Sequence, residues 1–297
     1  MANLRDVRFR MKAISQILQV TKAMNLISTS KLRKGRRLLE DTEPYFTRIQ
    51  KTMRDLLHSA GKVTSGYFQK NEKGRCAIVI ITSDKGLAGG YNANIFRYVL
   101  KLCEEVKNPV LILVGNVGQR YFVNSPYMVL ESFTFGGAIP TVEDAQEISG
   151  YVLSQFDWGV FNEVRVVYTH MYSALKLVPS MRLVLPLDED KMRTAISDTP
   201  FYDSTKEQRK KDEFEYIPSV MDVFKALVPL YIKGVIYGCL VEAYASEQSA
   251  RMSAMDEASR NGSDMLTKQQ LFYNRVRQAG ITQEVTEIVS GSAALME

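Results

Sequence analysis

The chain has little of the raw material from which most enzyme sites are built. Its 297 residues include three cysteines and two histidines. The cysteines, Cys76, Cys103 and Cys239, form no CxxC pair and no metal-ligand spacing, which is typical of small buried residues in a reducing compartment. His58 and His170 stand alone in the sequence and are interpreted as solvated or hydrogen-bonded side chains. The sequence therefore lacks the residues for zinc chemistry or a Ser-His-Asp site, and we expect no metal and no cofactor.

Long hydrophobic runs and nucleotide-binding motifs are also missing. No stretch reaches the roughly 18 to 20 uninterrupted apolar residues that span a bilayer, and the N-terminus lacks the apolar core of a signal peptide. Residues 1–37 have the basic, acid-poor bias of an organelle presequence, but their helical patterning runs on into the body of the chain, which argues against one. No GxxxxGK[ST] motif occurs, so a Walker-type ATP site is not expected.

The net charge of +5 is unevenly distributed. Between residues 5 and 37 the only acid is Asp6. Such a basic stripe indicates a solvated helix face or an acidic partner, which could be nucleic acid, an anionic membrane face or an acidic protein loop. Nucleic acid is a weaker candidate, because no groove-docking motif is present, and contact with an acidic protein fits better. The ten basic residues of the stripe are Arg5, Arg8, Arg10, Lys12, Lys22, Lys31, Arg33, Lys34, Arg36 and Arg37.

Both ends of the chain are patterned as long helices. From residue 3 to about 58 the only helix breakers are Gly35 and Pro44, and such a helix would be roughly 80 Å long. Its apolar residues follow the alternating three- and four-residue spacing of a coiled-coil seam. The predicted seam starts at Leu4, Val7, Met11, Ile14 and Leu18, and then drifts through Val20, Met24 and Ile27 to Leu32 and Leu38.

The second long helix is predicted from Ser219 to about Ala294. Pro229 is a position where a kink is expected, and each interior glycine costs about 1 kcal/mol against alanine. Helices this long need a partner along their length. The simplest solution is an antiparallel coiled coil between the two terminal segments, 1–60 and 216–297.

The middle of the chain, 74–195, changes period. Short buried strands alternate with helical segments, which favours an α/β domain with a mostly parallel sheet. Residues 60–75 and 188–216 are polar and are interpreted as linkers. The predicted strands are 76–82, 109–114, 127–132, 163–171 and 181–187, and the predicted helices are 94–106 and 141–156, the latter with a capping box from Thr141 to Asp144.

One segment of this domain, ITSDKGLAGGYNANI (81–95), lies where a dinucleotide-binding loop would lie. Its glycines read GxxGG rather than GxGxxG, and the second strand is followed by Gly115 and Asn116 rather than by an acid for the ribose. We therefore interpret it as a tight strand-to-helix turn in which Asn92 or Asn94 caps the helix. Asp84 and Lys85 could then offer a polar contact surface.

The C-terminal tip is the most unusual feature. After Glu287 the chain carries no charge until Glu297. A disordered tail would be polar, whereas an apolar, uncharged helix tip is expected to be enclosed by another protein. The apolar residues of this tip are Val285, Ile288, Val289, Ala294, Leu295 and Met296.

Three segments together carry a family resemblance. They are LRDVRFRMKAISQILQVTKAMNLISTSKLRK (4–34), the loop at 81–95, and SEQSARMSAMDEASRNGSDM (246–265) with YNRVRQAGITQEVTEIVSGSAAL (273–295). In this order they resemble the gamma subunit family of the F-type ATP synthase, and the pattern RQxxITxExxEIVxGxxA is the most specific part. The resemblance covers nearly the whole chain.

The resemblance implies an antiparallel coiled coil of the terminal helices plus a Rossmann-like α/β domain. It implies a non-catalytic rotor stalk between a membrane ion-driven ring and catalytic sites on the partner alpha and beta subunits. By the same resemblance, residues at three places contact partners. They are Arg277, Gln278, Thr282 and Glu284, which grip alpha and beta; Met24, Arg33 and Arg36, near acidic loops of beta; and Asp84, Lys85 and Asn92, at the stalk base.

The implied partners are three alpha and three beta subunits, the epsilon subunit and the c-ring, without nucleic acid and without direct insertion into the membrane. The implied location is the cytoplasmic side of a bacterial cell membrane, where the chain would be peripheral. Ala88 and Gln248 depart from residues that many members carry, and the close cysteine pair of plastid members is absent. The resemblance therefore favours a bacterial protein without a thiol switch.

Overall fold

The computed structural model describes residues 4–59, 65–69, 74–174, 176–194 and 216–294. The helices over these residues are α1 (Leu4–Ser59), α2 (Tyr91–Glu105), α3 (Asn116–Phe122), α4 (Val142–Asp157), α5 (Glu189–Thr194) and α6 (Val220–Ala294). The strands are β1 (Arg75–Ile81), β2 (Pro109–Val114), β3 (Met128–Phe133), β4 (Phe161–Met171) and β5 (Leu177–Leu185). By contacts the chain forms two compact units, Met1–Ser28 with Met252–Glu297, and Thr29–Arg251.

The second unit, Thr29–Arg251, is built on a five-stranded sheet. The strand order is β3-β2-β1-β4-β5. The first four of these strands pair in parallel, and β5 runs antiparallel to β4. The mostly parallel α/β sheet predicted from the sequence is therefore confirmed.

Both faces of this sheet are covered, which explains why its central strands are almost continuously apolar. In β1, Ala77, Val79 and Ile81 face a cluster that includes α4 and parts of α1 and α6. Their neighbours Cys76, Ile78 and Ile80 face a second cluster formed with α2 and α3. All three cysteines are buried thiols, as the sequence predicted.

Within the second unit, α1 and α6 approach each other closely at two glycines. A Cβ atom added to Gly35 would lie 3.2 Å from the Tyr244 ring, and one added to Gly234 would lie 2.3 Å from the Phe46 ring. Gly35 of α1 lies beside Tyr244 of α6, and the later α1 residue Phe46 lies beside the earlier α6 residue Gly234. The two helices therefore pair antiparallel. Gly234, one of the glycines predicted to weaken α6 through its poor helix propensity, is thus required by close packing against Phe46.

The α6 helix is the one helix of the described residues that is long and apolar enough, by length and composition alone, to cross a membrane. Residues 234–249 of α6 are all buried within the second unit. Protein therefore covers the apolar surface of this stretch. The absence of direct membrane insertion stays a prediction.

In the first unit, the start of α1 also pairs antiparallel with α6, here with its C-terminal half. The Arg8 guanidinium donates to the Tyr273 hydroxyl at 2.6 Å. The Ser259 hydroxyl donates to Thr21 Oγ1 at 2.9 Å, and the Asn25 amide donates to the Met252 carbonyl at 3.0 Å.

The predicted course of the α1 seam is correct at its start, wrong at Val20 and Ile27, and correct again at Leu32, which is buried. Val7 is buried, but Val20 and Ile27 are 58% and 57% exposed. The three- and four-residue spacing continues instead through Thr21 and Ser28, which are buried. Thr21 fits the seam because its hydroxyl donates to the Leu18 carbonyl and accepts from Ser259, whereas the apolar residues Val20 and Ile27 lie on the outer face.

Several element boundaries also differ from the prediction. The α3 helix was not predicted, and α5 occupies the start of the predicted linker 188–216. The α5 helix is stabilised by Arg193, which pairs with Glu189 one turn away at 2.6 Å and also donates to the carbonyl of Leu57 at the end of α1. Within the predicted linker 60–75, a 3-10 turn spans Gly66–Phe68 and β1 begins at Arg75. Residues 60–64, 70–73 and 195–215 of the two predicted linkers lie outside the described residues.

The α4 helix begins as predicted. The Thr141 side chain accepts a hydrogen bond from the Asp144 backbone, and the Asp144 side chain accepts one from the Thr141 backbone, which completes the capping box. The helix ends at Asp157, and its C-cap residue Trp158 is 73% exposed. The division of the chain into 1–60, 74–195 and 216–297 remains a prediction.

Candidate partner-contact surfaces

The last three turns of α6 have no cover from the described residues of the chain. Every residue from 281 to 292 is exposed. The four predicted grip residues, Arg277, Gln278, Thr282 and Glu284, are all exposed as well. The polar bonds here run along the helix itself, as where the Thr282 hydroxyl donates to the Gln278 carbonyl at 2.9 Å. This end of α6 is therefore a regular helix that presents its side chains outward.

The predicted bearing tip belongs to the same exposed stretch. Ile281, Val285, Ile288 and Val289 are 52%, 54%, 71% and 62% exposed, and their spacing of four, three and one residues puts them on one side of the helix. Leu295 lies outside the described residues. The contact of this apolar stripe with a partner stays a prediction.

The basic stripe on α1 is mostly exposed, in both units. Lys31 is half-buried and donates to the Gly137 carbonyl at 3.3 Å, whereas the other nine basic residues of the stripe are exposed. Among the predicted contacts with beta loops, Arg33 and Arg36 are exposed and Met24 is half-buried. The structure leaves the two guanidinium groups accessible to an acidic partner.

The loop after β1 uses two of its three predicted contact residues internally. Asp84 accepts hydrogen bonds from the backbone and side-chain amides of Asn116, at 3.0 and 3.2 Å. Asn92 accepts from the Ser83 backbone at 3.1 Å and donates to the Ser83 hydroxyl at 2.7 Å. Of the three, only Lys85 has an exposed side chain. The contact of this loop with a partner stays a prediction.

The expected asparagine cap of α2 is wrong. The cap residue is Gly90, without a side-chain hydrogen bond. The Asn92 side chain is hydrogen-bonded to Ser83 instead. The Asn94 side chain accepts a hydrogen bond from Arg97 at 2.5 Å. The asparagines therefore bond to groups other than the free amides at the start of the helix.

The α6 helix lies across the carboxyl ends of β1 and β4. The Ser246 hydroxyl donates to the Thr169 carbonyl at 2.8 Å, and the Ser249 hydroxyl donates to the Ala174 carbonyl at 2.9 Å. In open α/β sheets this is the switch point, where strand order reverses and ligands bind. In this chain the place beside the two strands is occupied by the protein's own helix.

A buried polar cluster joins the end of β4 to α6. The Met171 backbone donates to Glu242 Oε1 at 3.2 Å, and His170 Nδ1 is in contact with the same oxygen. Burial raises the pKa of Glu242, and the nearby His170 opposes that rise. His170 is thus a satisfied side chain, in agreement with the sequence interpretation.

Sequence reasoning missed the roles of Glu247 and Arg251. Both are buried charged residues on α6, at 9% and 7% exposure, and they form an ion pair of 2.6 Å one helical turn apart. The available signal was a segment rich in polar residues, 246–251, directly after the largely apolar stretch 234–245 of the helix. Such residues are buried only when they are paired.

Comparison with known proteins agrees with this architecture. Residues 3–295 match the family model described as ATP synthase. The ATP synthase gamma chain of Acetivibrio thermocellus is 41% identical over 299 residues, covering 99% of this chain and 100% of that protein. The gamma chain of Ruminiclostridium cellulolyticum is 42% identical, with 99% of each chain covered.

Solved structures show the same fold at lower identity. A chain from Euglena gracilis mitochondrial ATP synthase (OSCP/F1/c-ring) has a TM-score of 0.64 and 17% identity, with 98% of this chain and 94% of that chain covered. A chain from the central stalk and c-ring of Tetrahymena thermophila mitochondrial ATP synthase has a TM-score of 0.58 and 24% identity, with 81% and 99% covered. From the family model and the full-length relatives, the chain belongs to the ATP synthase gamma chain family.

Proposed function

We propose that this chain is the central rotor shaft of an F-type ATP synthase. It transmits torque between a membrane ion-driven ring and a catalytic hexamer of three alpha and three beta subunits. The observation that carries the proposal is the uncovered end of α6, where residues 281–292 are exposed. A regular helix with an apolar stripe and no cover from the described residues fits a sleeve made by other subunits.

The mechanism is mechanical and electrostatic. Two paired helices make a stiff element, and a shaft with different residues on each side offers a different surface to each beta subunit as it turns. The uncharged apolar tip forms few directional bonds, which favours sliding. The exposed guanidinium groups of Arg33 and Arg36 attract acidic loops of beta and couple rotation to opening of the catalytic sites. The bond chemistry takes place on beta.

The other partners follow from the same role. The epsilon subunit and the c-ring bind at the stalk base, and the complex holds the chain on the cytoplasmic face of a bacterial cell membrane. The relative from Acetobacterium woodii, 34% identical, is named as sodium ion specific. Whether this chain serves a proton or a sodium motor depends on the ring.

Co-purification tests the proposal directly. A tagged full-length chain, expressed with its bacterial alpha and beta subunits, is expected to bring down a hexamer with ATPase activity. A charge-matched basic protein with the same tag serves as the control. Recovery of the chain without alpha and beta at physiological salt would contradict the proposal.

The grip assignment predicts that Arg277→Ala and Gln278→Ala each weaken assembly or coupled ATP turnover. A central interface residue typically contributes 1 to 2 kcal/mol, so we expect a loss of about tenfold. Because both side chains are exposed, far-UV circular dichroism of the chain should be unchanged. The matched control is Arg260→Ala, an exposed arginine on the same helix that pairs with Asp256 at 2.8 Å. Wild-type assembly and coupling in both grip variants would reject the assignment.

A further inference from the structure

The loop after β1 is held from one side by a single arginine of α6. The Arg251 guanidinium donates to the Lys85 carbonyl at 3.0 Å and to the Gly86 carbonyl at 3.1 Å. Its other terminal nitrogen, Nη1, forms an ion pair with Glu247 Oε1 at 2.6 Å. The planar guanidinium of Arg251 thus donates to two backbone carbonyls and one carboxylate. The ammonium group of a lysine could not reproduce this geometry.

The same loop is held from its own domain by side chains. Ser83 donates to the Lys85 carbonyl at 2.9 Å and is itself fixed by Asn92 at 2.7 Å. Leu87 has a positive φ of 63°, which is uncommon for a residue with a β-carbon. A strained backbone persists only where its surroundings fix it, and here Arg251 is bonded to the two residues just before Leu87.

The sites along α6 form a series. Glu242 and Ser246 bond to the end of β4, Ser249 to the turn that follows, and Arg251 to the loop after β1. The helix therefore contacts both walls of the crevice in which a doubly wound sheet would bind a ligand. In this chain, α6 therefore fills the crevice.

We propose that the ligand crevice of the α/β domain serves as the joint that couples this domain to the shaft helix, with Arg251 as its positioning residue. This inference rests on the proposed function, in which torque passes along α6. The joint resists rotation of α6 within the domain because its bonds reach two separate places, the end of β4 with its following turn and the loop after β1. Charged hydrogen bonds with little exposure to water are strong enough for that role.

The test compares Arg251→Gln with Arg260→Gln in the assembled complex. Both changes remove an arginine that pairs with an acid one turn away, but Arg260 is 78% exposed at its side chain. Loss of charged hydrogen bonds should speed amide hydrogen exchange of residues 83–92 by about tenfold or more in Arg251→Gln. The control should exchange as wild type does.

Coupling supplies the second readout. Arg251→Gln is expected to lower the ions transported per ATP hydrolysed in vesicles, while the detached catalytic part keeps its wild-type hydrolysis rate. Arg251→Lys, which keeps the charge but not the fork, should fall between wild type and Arg251→Gln. General unfolding would instead reduce hydrolysis and transport together. If Arg251→Gln does not assemble, Glu247→Gln, which removes one partner of the guanidinium, is measured in its place.

Unchanged exchange of residues 83–92, or wild-type coupling in a variant that assembles, would overturn the inference. Failure of the wild-type chain to capture a hexamer would instead contradict the proposed function. In that case exchange of residues 83–92 in the free full-length chain still decides whether Arg251 holds the loop.

Discussion

Gly115→Ala is expected to lower the free energy of unfolding by about 4 kcal/mol, from backbone strain and overpacking together. Gly115 follows β2 with a φ of +99°, a conformation that L residues rarely adopt. A Cβ atom there would lie 2.4 Å from the Thr82 carbonyl oxygen. That oxygen belongs to the backbone directly after β1, so it cannot move without disturbing the sheet. Urea unfolding followed by far-UV circular dichroism measures the effect.

The matched control for this variant is Gly136→Ala. Gly136 also has a positive φ, of +67°, but nothing lies within 4 Å of its Cβ position. It should therefore cost only the backbone strain, about 1 kcal/mol. Equal losses of unfolding free energy in the two variants would mean that the contact with Thr82 contributes nothing. That result would contradict the overpacking expected from the close approach of Gly115 to Thr82.

Gly234→Ala is expected to cost about 2 kcal/mol of unfolding free energy through overpacking, despite the better helix propensity of alanine. The added methyl group would lie 2.3 Å from the buried Phe46 ring of α1. That ring packs against Tyr45 and Tyr237, with centroids 5.2 and 5.9 Å away, so it has little room to yield. The same urea experiment measures the loss.

Two variants separate packing from propensity at Gly234. Gly150→Ala, in α4, meets no atom within 4 Å and should gain up to about 1 kcal/mol. Phe46→Leu combined with Gly234→Ala should lose less than the sum of the single changes, because the smaller side chain leaves space for the methyl group. Additive losses would show that the two positions do not share the contact.

The sequence was sufficient for the parts of the fold that depend on local pattern. The long apolar spacing of α1 and α6, the strand at Pro109–Val114 and the capping box at Thr141 all follow from neighbours close in the chain. The seam beyond Leu18 was not predictable in this way. Thr21 and Asn25 belong in it only because Ser259 and the Met252 carbonyl, far away in sequence, supply their hydrogen-bond partners.

The candidate surfaces divide in the same manner. An uncovered apolar tip was expected from its uncharged sequence, and the place of Arg277 at a partner contact was implied by the family resemblance. The internal use of Asp84 was not expected, because its partner Asn116 follows a different strand. The role of Arg251 depends on carbonyl groups 165 residues away, which no local pattern of charge or hydrophobicity reports.

The single tryptophan of the chain, Trp158, has a consequence for optical measurements. Its indole is already 73% exposed in the folded protein, so its emission should resemble that of a solvated indole before and after unfolding. Intrinsic fluorescence is accordingly a poor monitor of folding. A blue shift on mixing with another subunit would instead report that a partner has covered the end of α4, without any introduced label.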